Sequence, residues 1–328
     1  MARVFLTGGT GVIGRALLAR LVERGEEVVA LARSPAAAEA LAASGAEVVR
    51  GDATDEIALA RGMVGCELAF HLAGVNSLCV EDPAPMRRVN VDGALAAVRA
   101  AAAAGVRRLV HTSSAATIGE PRGTVANEWT AHRGWYLSTY ERTKTEGERA
   151  ALALARELRQ DLVCVNPASV QGPGRASGTG RFLLAFLDGR LRAFVRTHIS
   201  IVDIADCVEG HLLAAERGAS GERYLLCGVS LAIEEALALA AEVAGVARRP
   251  WLVPRSVARI AAAGAEAAFR LRGRTPPICR EMVRTLLHGH RYDGSRAERE
   301  LGVRYTPVTE TIARTVRWAR GEGLLRGR

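Results

Sequence analysis

"TGGTGVIG", residues 7–14, lies between the β-rich run "RVFLT" (3–7) and the helical pattern "VIGRALLARLVERG" (12–25). It satisfies G-x-G-x-x-G through Gly9, Gly11 and Gly14, and G-x-x-G-x-x-G through Gly8, Gly11 and Gly14. Between a strand and a helix, glycines so spaced let the backbone turn tightly, approach a pyrophosphate and pack the helix close to the strand. The helix N-terminus then offers free N–H groups and a partial positive charge to the phosphates. Thr7, Gly8, Gly9, Thr10, Gly11, Val12, Ile13 and Gly14 are therefore expected to cradle a dinucleotide. The plainer alternative is an ordinary strand-to-helix turn.

Outward from this loop the same rhythm continues. "EVVALA" (27–32), "AEVVRGD" (46–52), "LAFHLA" (68–73), "RRLVHTSS" (107–114) and "DLVCVNPA" (161–168) read as strands, with Ala- and Leu-rich helices such as 92–104 and 140–158 between them. The alternation predicts an α/β fold, a Rossmann-like doubly wound parallel sheet with helices on both faces. The rhythm breaks at the Gly-rich stretch "GPGRASGTGR" (172–181), and the remainder mixes helices with short strands such as "ERYLLCG" (222–228). The expected organisation is a dinucleotide-binding core over residues 1–172 and a smaller C-terminal α/β substrate cap over 173–328. Segments around 195–228 are expected to return to the core.

Composition removes several other classes. The 328 residues are 49% hydrophobic, so a large core is available, and no uncharged apolar run is long enough for a bilayer span. The net charge of +9 is spread along the chain and aromatics are only 5%, which argues against a stacking platform for nucleic acid. "MARVFLTGG" lacks the pattern of a secretory signal, so a cytoplasmic location is expected. Cys66, Cys79, Cys164, Cys207, Cys227 and Cys279 are scattered without CxxC or metal spacing and read as reduced core thiols.

The end of the second strand discriminates between dinucleotides. A carboxylate there would bind the adenosine ribose 2′-hydroxyl of NAD. "ALARSP" (30–35) has none, and Arg33 with Ser34 suits a 2′-phosphate, so NADP(H) is favoured with NAD(H) as the alternative.

Of the 44 cationic side chains, only Lys144 is a lysine, and it lies four residues after Tyr140, one of five tyrosines. Residues four apart share one helix face. An ammonium near a phenol is expected to lower its pKa from about 10, letting the phenol exchange a proton with an alcohol or carbonyl oxygen. Its three rotatable donors also reach ribose hydroxyls.

With these, "HLAG" (71–74), "HTSSAATIG" (111–119), "GDATD" (51–55), "VNVDG" (89–93), "NPASVQGPG" (166–174) and "ISIVDIADCVEGH" (199–211) fall in a single order. Over about residues 1–215 the chain resembles the extended branch of the short-chain dehydrogenase/reductase superfamily, the NAD-dependent epimerase/dehydratase family. Within it, the chain is similar to dihydroflavonol-reductase-like proteins, including the hopanoid-associated group named as sugar epimerases.

The resemblance implies catalytic roles for Ser114, Tyr140 and Lys144, with Ser113 or Thr112 replacing Ser114 if the register shifts. It implies that Asn90 supports the active-site end of its helix. Asp52 and Ala53 would contact the adenine. Leu72, Ala73, Gly74, Thr112, Tyr140 and Lys144 would line the cofactor, and Pro167, Ala168, Ser169 and Val170 would face its nicotinamide. Asp203 and Asp206 read more plainly as carboxylates capping the helix from 203 onward. A homodimer through helices 92–104 and 140–158 is also implied. Two positions depart from many sugar-nucleotide members: Ile118 replaces a tyrosine before the glycine, and Asn166 replaces an arginine before the proline.

The expected function is NADP(H)-dependent reduction of a ketone or aldehyde, with a small carbonyl or alcohol as the partner. The alternatives are epimerisation or dehydration of a sugar or sugar nucleotide on tightly held NAD(P), and a non-catalytic dinucleotide sensor. A hydrolase triad is disfavoured because no G-x-S-x-G elbow accompanies Ser114. His288 and His290 have no third ligand in sequence and read as surface or capping residues, so no metal is expected. His71 and His111 read as satisfied core residues. Trp129 and Trp135 either line a substrate pocket or pack their loop.

Overall fold

The computed structural model describes residues 1–325. Seven parallel strands form its central sheet: Arg3–Thr7, Glu27–Ala32, Glu47–Arg50, Leu68–His71, Arg108–Thr112, Leu162–Pro167 and Arg223–Leu226. Across the sheet the order is 223–226, 162–167, 108–112, 68–71, 3–7, 27–32, 47–50. The doubly wound sheet expected from the alternation is thus present. The chain winds outward from the first strand through 27–32 and 47–50, then crosses back to 68–71 on its other side. In such sheets ligands bind outside the carboxyl ends of the strands where the order reverses. Residues 7–14 and 72–74 leave the sheet at that point.

The two-residue period of a strand explains why both faces are covered. Val4 and Leu6 join a core with Leu17 and Leu21 of helix Val12–Glu23 and Leu212 of helix Ile204–Arg217. Phe5, between them, joins the opposite core with Leu59 and Met63 of helix Glu56–Met63 and Ala97 of helix Gly93–Ala104. Each such side chain contributes about 1.5–3 kcal/mol by leaving water, so the central strands read as near-continuous apolar runs.

The later part of the chain builds a three-stranded sheet from Ser169–Gln171, His198–Asp203 and Val229–Ala232. Helices Thr179–Leu187, Ile233–Val243 and Val308–Gly321 share a separate apolar core around Phe186, Leu237 and Ile312. Helices Arg255–Arg270 and Arg280–His288 pack through Ala262 and Leu287. Two strands cross between the parts: Arg223–Leu226 completes the central sheet beside 162–167, and Arg291–Tyr292 pairs with Val125–Ala126. Asp203 caps helix Ile204–Arg217 by accepting from the Ala205 amide at 2.8 Å, and Asp206 accepts from the Thr306 amide and hydroxyl at 2.6 and 2.8 Å.

The reading of all six cysteines as reduced thiols is wrong for one pair. Cys79, in the segment after strand Leu68–His71, is disulfide-bonded to Cys279, which precedes helix Arg280–His288. Their Cα atoms lie 5.7 Å apart across a sequence separation of 200. Bridging depends on that spatial distance, and sequence spacing carries no trace of it. Cys66, Cys164, Cys207 and Cys227 are free and buried.

Candidate active site

The glycine loop is pinned from two directions. Gly8 has φ +71°, and a Cβ there would sit 2.7 Å from the Leu72 carbonyl carbon and the Ala73 amide nitrogen. A Cβ on Gly14 would lie 2.1 Å from the Gly8 carbonyl oxygen. Neither backbone group can yield, so the turn closes only with glycine at both positions. Gly11 caps helix Val12–Glu23 without any side-chain hydrogen bond, and the first turn carries no acidic residue. The leading N–H groups there keep their partial charge for an anion. Gly14→Ala is expected to cost about 1–3 kcal/mol of stability and to weaken dinucleotide binding at least tenfold. Fluorescence titration with NADPH alongside thermal melting checks both, and wild-type affinity in the variant would show that the turn does not hold phosphate.

Thr7, expected at the dinucleotide cradle, has its side chain engaged within the fold. It is fully buried, its hydroxyl pairs with His71 Nδ1 at 3.0 Å, and it accepts from the Ala73 amide at 3.1 Å. It is a brace joining the first and fourth strands, with the hydroxyl already spent. His71 and His111 stack at 5.4 Å, but the Nε2 atom of each is buried without a partner, so they are not fully satisfied. Burial, with the Lys144 charge adding to it, holds the His71 imidazole down to about 3, and His111 is likewise held well below its ordinary value.

At the end of the second strand Arg33 is exposed, and among the described residues it makes no ion pair. Ser34 caps helix Pro35–Ala43 by accepting from the Ala37 amide at 3.2 Å. Asp52 accepts from the Thr54 amide and hydroxyl at 3.0 and 2.8 Å. Burial pushes the Asp52 carboxyl up, but those bonds and the Arg88 and Arg33 charges outweigh it and hold it below the carboxylate value.

Ser138 starts helix Thr139–Leu158, accepting from the Glu141 amide at 3.0 Å. Tyr140 and Lys144 lie one turn apart on it. Lys144 is buried and donates through Nζ to the Thr112 carbonyl oxygen at 2.8 Å. Burial lowers its pKa to about 8 despite the opposing charge of Glu148. Asn90, in a single π-helical turn over Arg88–Asp92, donates to Thr143 Oγ1 and the Val75 carbonyl, both at 3.0 Å, and accepts from the Val75 amide at 2.8 Å. It touches the residue beside Lys144 and so acts as a positioning residue.

The phenol corrects the electrostatic expectation. Burial pushes the Tyr140 pKa above its ordinary value, and the groups that pull it back are the Ser114 side chain and the Arg175 charge. Lys144 is not among them, because its ammonium is turned to the Thr112 carbonyl. Of the three hydroxyls, Ser114 Oγ accepts from the Ala116 amide at 3.3 Å. Thr112 Oγ1 is held by His211 Nε2 at 2.9 Å, and Ser113 Oγ is buried without a partner.

Arg175 is a residue that sequence reasoning missed. It lies in the stretch 172–181, where a Cβ on Gly180 would fall 2.2 Å from the Arg175 carbonyl oxygen and one on Gly178 would fall 2.7 Å from Arg175 Nη2. Those glycines make room for the arginine, and that was the available signal. The two departures from the sugar-nucleotide pattern also become intelligible. Asn166 is fully buried and donates to Glu148 Oε2, to Thr117 Oγ1 at 2.9 Å and to the Ser114 carbonyl at 3.2 Å. It ties the serine loop to the tyrosine helix. Ile118 packs with Ala115, Ala126, Leu225 and Tyr292.

Of the residues expected to face the nicotinamide, Val170 is buried in the core. Ser169 Oγ contacts Thr179 Oγ1 at 2.7 Å, while Pro167 ends the sixth strand and Ala168 donates its amide to Leu226. Ala53 and Leu72 pack against the two core clusters, and Gly74 lies close to Asn90 and Lys144. Trp129 and Trp135 are exposed and stack with Arg296 and Arg133 respectively.

A parallel sheet with an open helix N-terminus at its switch point and a serine–tyrosine–lysine set beside it defines an oxidoreductase enzyme that works on a nicotinamide dinucleotide. The family model described as "NAD dependent epimerase/dehydratase family" matches residues 4–227, and the chain belongs to that family, whose members bind NAD(P). It is 36% identical over 327 residues to sterol demethylase protein B of Methylococcus capsulatus, covering 98% of this chain and 99% of that one. A putative dihydroflavonol 4-reductase of Synechocystis is 32% identical, with 98% and 96% covered. A Stigmatella aurantiaca enzyme named 4-hydroxy-2-methyl-3-oxo-4-farnesyl-3,4-dihydroquinoline-1-oxide ketoreductase is 33% identical, with 92% and 91% covered. Among the described residues no helix is long and apolar enough to cross a membrane.

Proposed function

We propose that the protein is an NADPH-dependent ketone reductase. The observation that carries this reading is the Tyr140 phenol and the Lys144 cation one turn apart on one helix, the cation held by the Thr112 carbonyl of the adjoining strand, with the Ser114 side chain and the Arg175 charge acting on the phenol. The free amides at Val12–Gly14 and the exposed Arg33 would hold the dinucleotide. When bound, NADPH supplies a hydride to the carbonyl carbon. Tyr140 gives its phenolic proton to the carbonyl oxygen, so that hydride plus proton convert C=O to CH–OH. The phenol is raised by burial, so its donation relies on the Ser114 side chain and the Arg175 charge that act in the opposite sense. Ser114 donates a hydrogen bond to the same oxygen, and the Arg175 charge stabilises the phenolate left behind. Lys144, whose ammonium is held by the Thr112 carbonyl, would bind the nicotinamide ribose through its remaining donors.

Two of the relatives are named as reductases, and neither Ile118 nor Asn166 is free to meet a sugar nucleotide. The test is a carbonyl panel followed by NADPH absorbance. It should begin with apolar ring ketones, because two relatives carry a sterol and a farnesylated quinoline ketone in their names, and it should include sugar nucleotides. Steady NADPH consumption with a ketone is expected. Turnover of a sugar nucleotide without net NADPH loss would overturn the reductase reading. Arg33→Asp is expected to shift the NADPH/NADH ratio of kcat/KM by about 10–100-fold toward NADH, the size of one lost charge-assisted contact. An unchanged ratio would remove Arg33 from 2′-phosphate recognition.

A further inference from the structure

The three residues Glu120, His288 and His290 come together from distant parts of the chain. Glu120 follows the serine loop, immediately after Gly119. His288 is the last residue of helix Arg280–His288, and His290 follows Gly289, whose φ of +77° turns the chain so that both imidazoles meet one carboxylate. His290 Nδ1 lies 2.6 Å from Glu120 Oε1, and His288 Nε2 lies 3.4 Å from the same oxygen and 3.1 Å from the Glu120 backbone carbonyl, a hydrogen bond whose proton it would give up to a metal. All three donor atoms lie within 4.8 Å of one another. A tetrahedral zinc with bonds of about 2.0–2.2 Å needs donors roughly 3.3 Å apart, so changes of up to about 1.5 Å in the separations would bring this set to coordination.

Two further features distinguish the cluster from an ordinary ion pair. Glu120 is almost fully buried, and its Oε2 atom has no hydrogen-bond partner, which is costly unless a cation satisfies it. His288 is buried as well, against the expectation of a surface histidine. We propose that Glu120, His288 and His290 form a binding site for a first-row divalent cation, zinc in the first instance, joining the core to the cap. Two imidazoles and one carboxylate are the borderline-soft set that suits zinc, with the fourth position left for water or for the Tyr292 hydroxyl, 3.1 Å from His290 Nδ1.

The site bears on the catalytic helix through the helix that carries His288. Glu281 accepts from the Thr139 amide at 2.5 Å and Arg284 donates through Nε to the Leu137 carbonyl at 2.8 Å, both at the start of the tyrosine helix. A bound cation therefore fixes the element against which Tyr140 is set. The inference stands on geometry independent of the reductase reading, and metal content is measured without turnover.

The test uses the full chain treated with a chelator, incubated with Zn2+, desalted and analysed for metal. About one equivalent is expected in the wild type, with at least a 100-fold weaker apparent affinity in Glu120→Gln and His290→Ala. Co2+ in place of Zn2+ is expected to give the visible absorption of a tetrahedral centre in the wild type only. Melting should rise with Zn2+ in the wild type and stay unchanged in both variants. His290 is the more exposed ligand, so His290→Ala, melting normally without metal, separates loss of the site from loss of the fold. A folded wild type that retains no metal, or variants that retain as much as the wild type, would overturn the proposal.

Discussion

Tyr140→Phe is expected to lower kcat for NADPH-dependent ketone reduction by about 10²–10⁴-fold, the usual contribution of a positioned general acid. NADPH affinity should stay within about threefold. The ring packs as before and only the hydroxyl is lost, while the dinucleotide's phosphates rest on the glycine loop. Pre-steady-state mixing of enzyme, NADPH and ketone separates the effects: binding persists and the hydride step slows. If the variant keeps more than about a tenth of wild-type kcat, the proton comes from another group and the role given to the Tyr140 phenol fails.

Lys144→Met is expected to abolish reduction and at the same time stabilise the protein. The buried ammonium has a pKa of about 8 against an ordinary 10.5. The folded-state value is depressed, so the fold favours the neutral amine. Between about pH 8 and 10.5 the unfolded chain holds a proton that the folded chain lacks, and stability rises with pH across that window. Below about pH 8 both states carry the charge and the full penalty is present, about 3 kcal/mol at 1.36 kcal/mol per unit. Methionine removes that penalty and loses one charge-assisted hydrogen bond to the Thr112 carbonyl, worth about 2 kcal/mol. The net gain at pH 7 is about 1 kcal/mol, a rise in Tm of about a degree or two. The advantage should shrink as pH approaches 10. A variant that melts lower than the wild type at pH 7, or a difference that ignores pH, would show that burial of this cation costs nothing. The pairing of lost activity with gained stability is the mark of a charge kept for chemistry.

These two residues show how unevenly the sequence informs. Tyr140 and Lys144 were legible together because a helix places residues four apart on one face, whatever else the chain does. The glycine loop was legible for a similar reason: Gly8 and Gly14 answer to backbone clashes within one strand–turn–helix unit. Six strands of the sheet followed from apolar runs, since a strand covered on both faces has no polar alternation to hide it, and the seventh, Arg223–Leu226, joined them from the later part of the chain. What lay beyond local geometry was decided by packing. The direction of the Tyr140 pKa is set by burial, against the Ser114 side chain and the Arg175 charge thirty-five positions away, and the Lys144 ammonium turns to a strand carbonyl that no spacing predicts. Cys79 meets Cys279, and Glu120 meets His288 and His290, because the segment Arg280–Tyr292 folds back over the core. Covalent geometry and hydrogen bonding act over a few residues and can be read from the order of the chain. Desolvation and the meeting of distant side chains belong to the enclosed interior and exist only once the chain has folded.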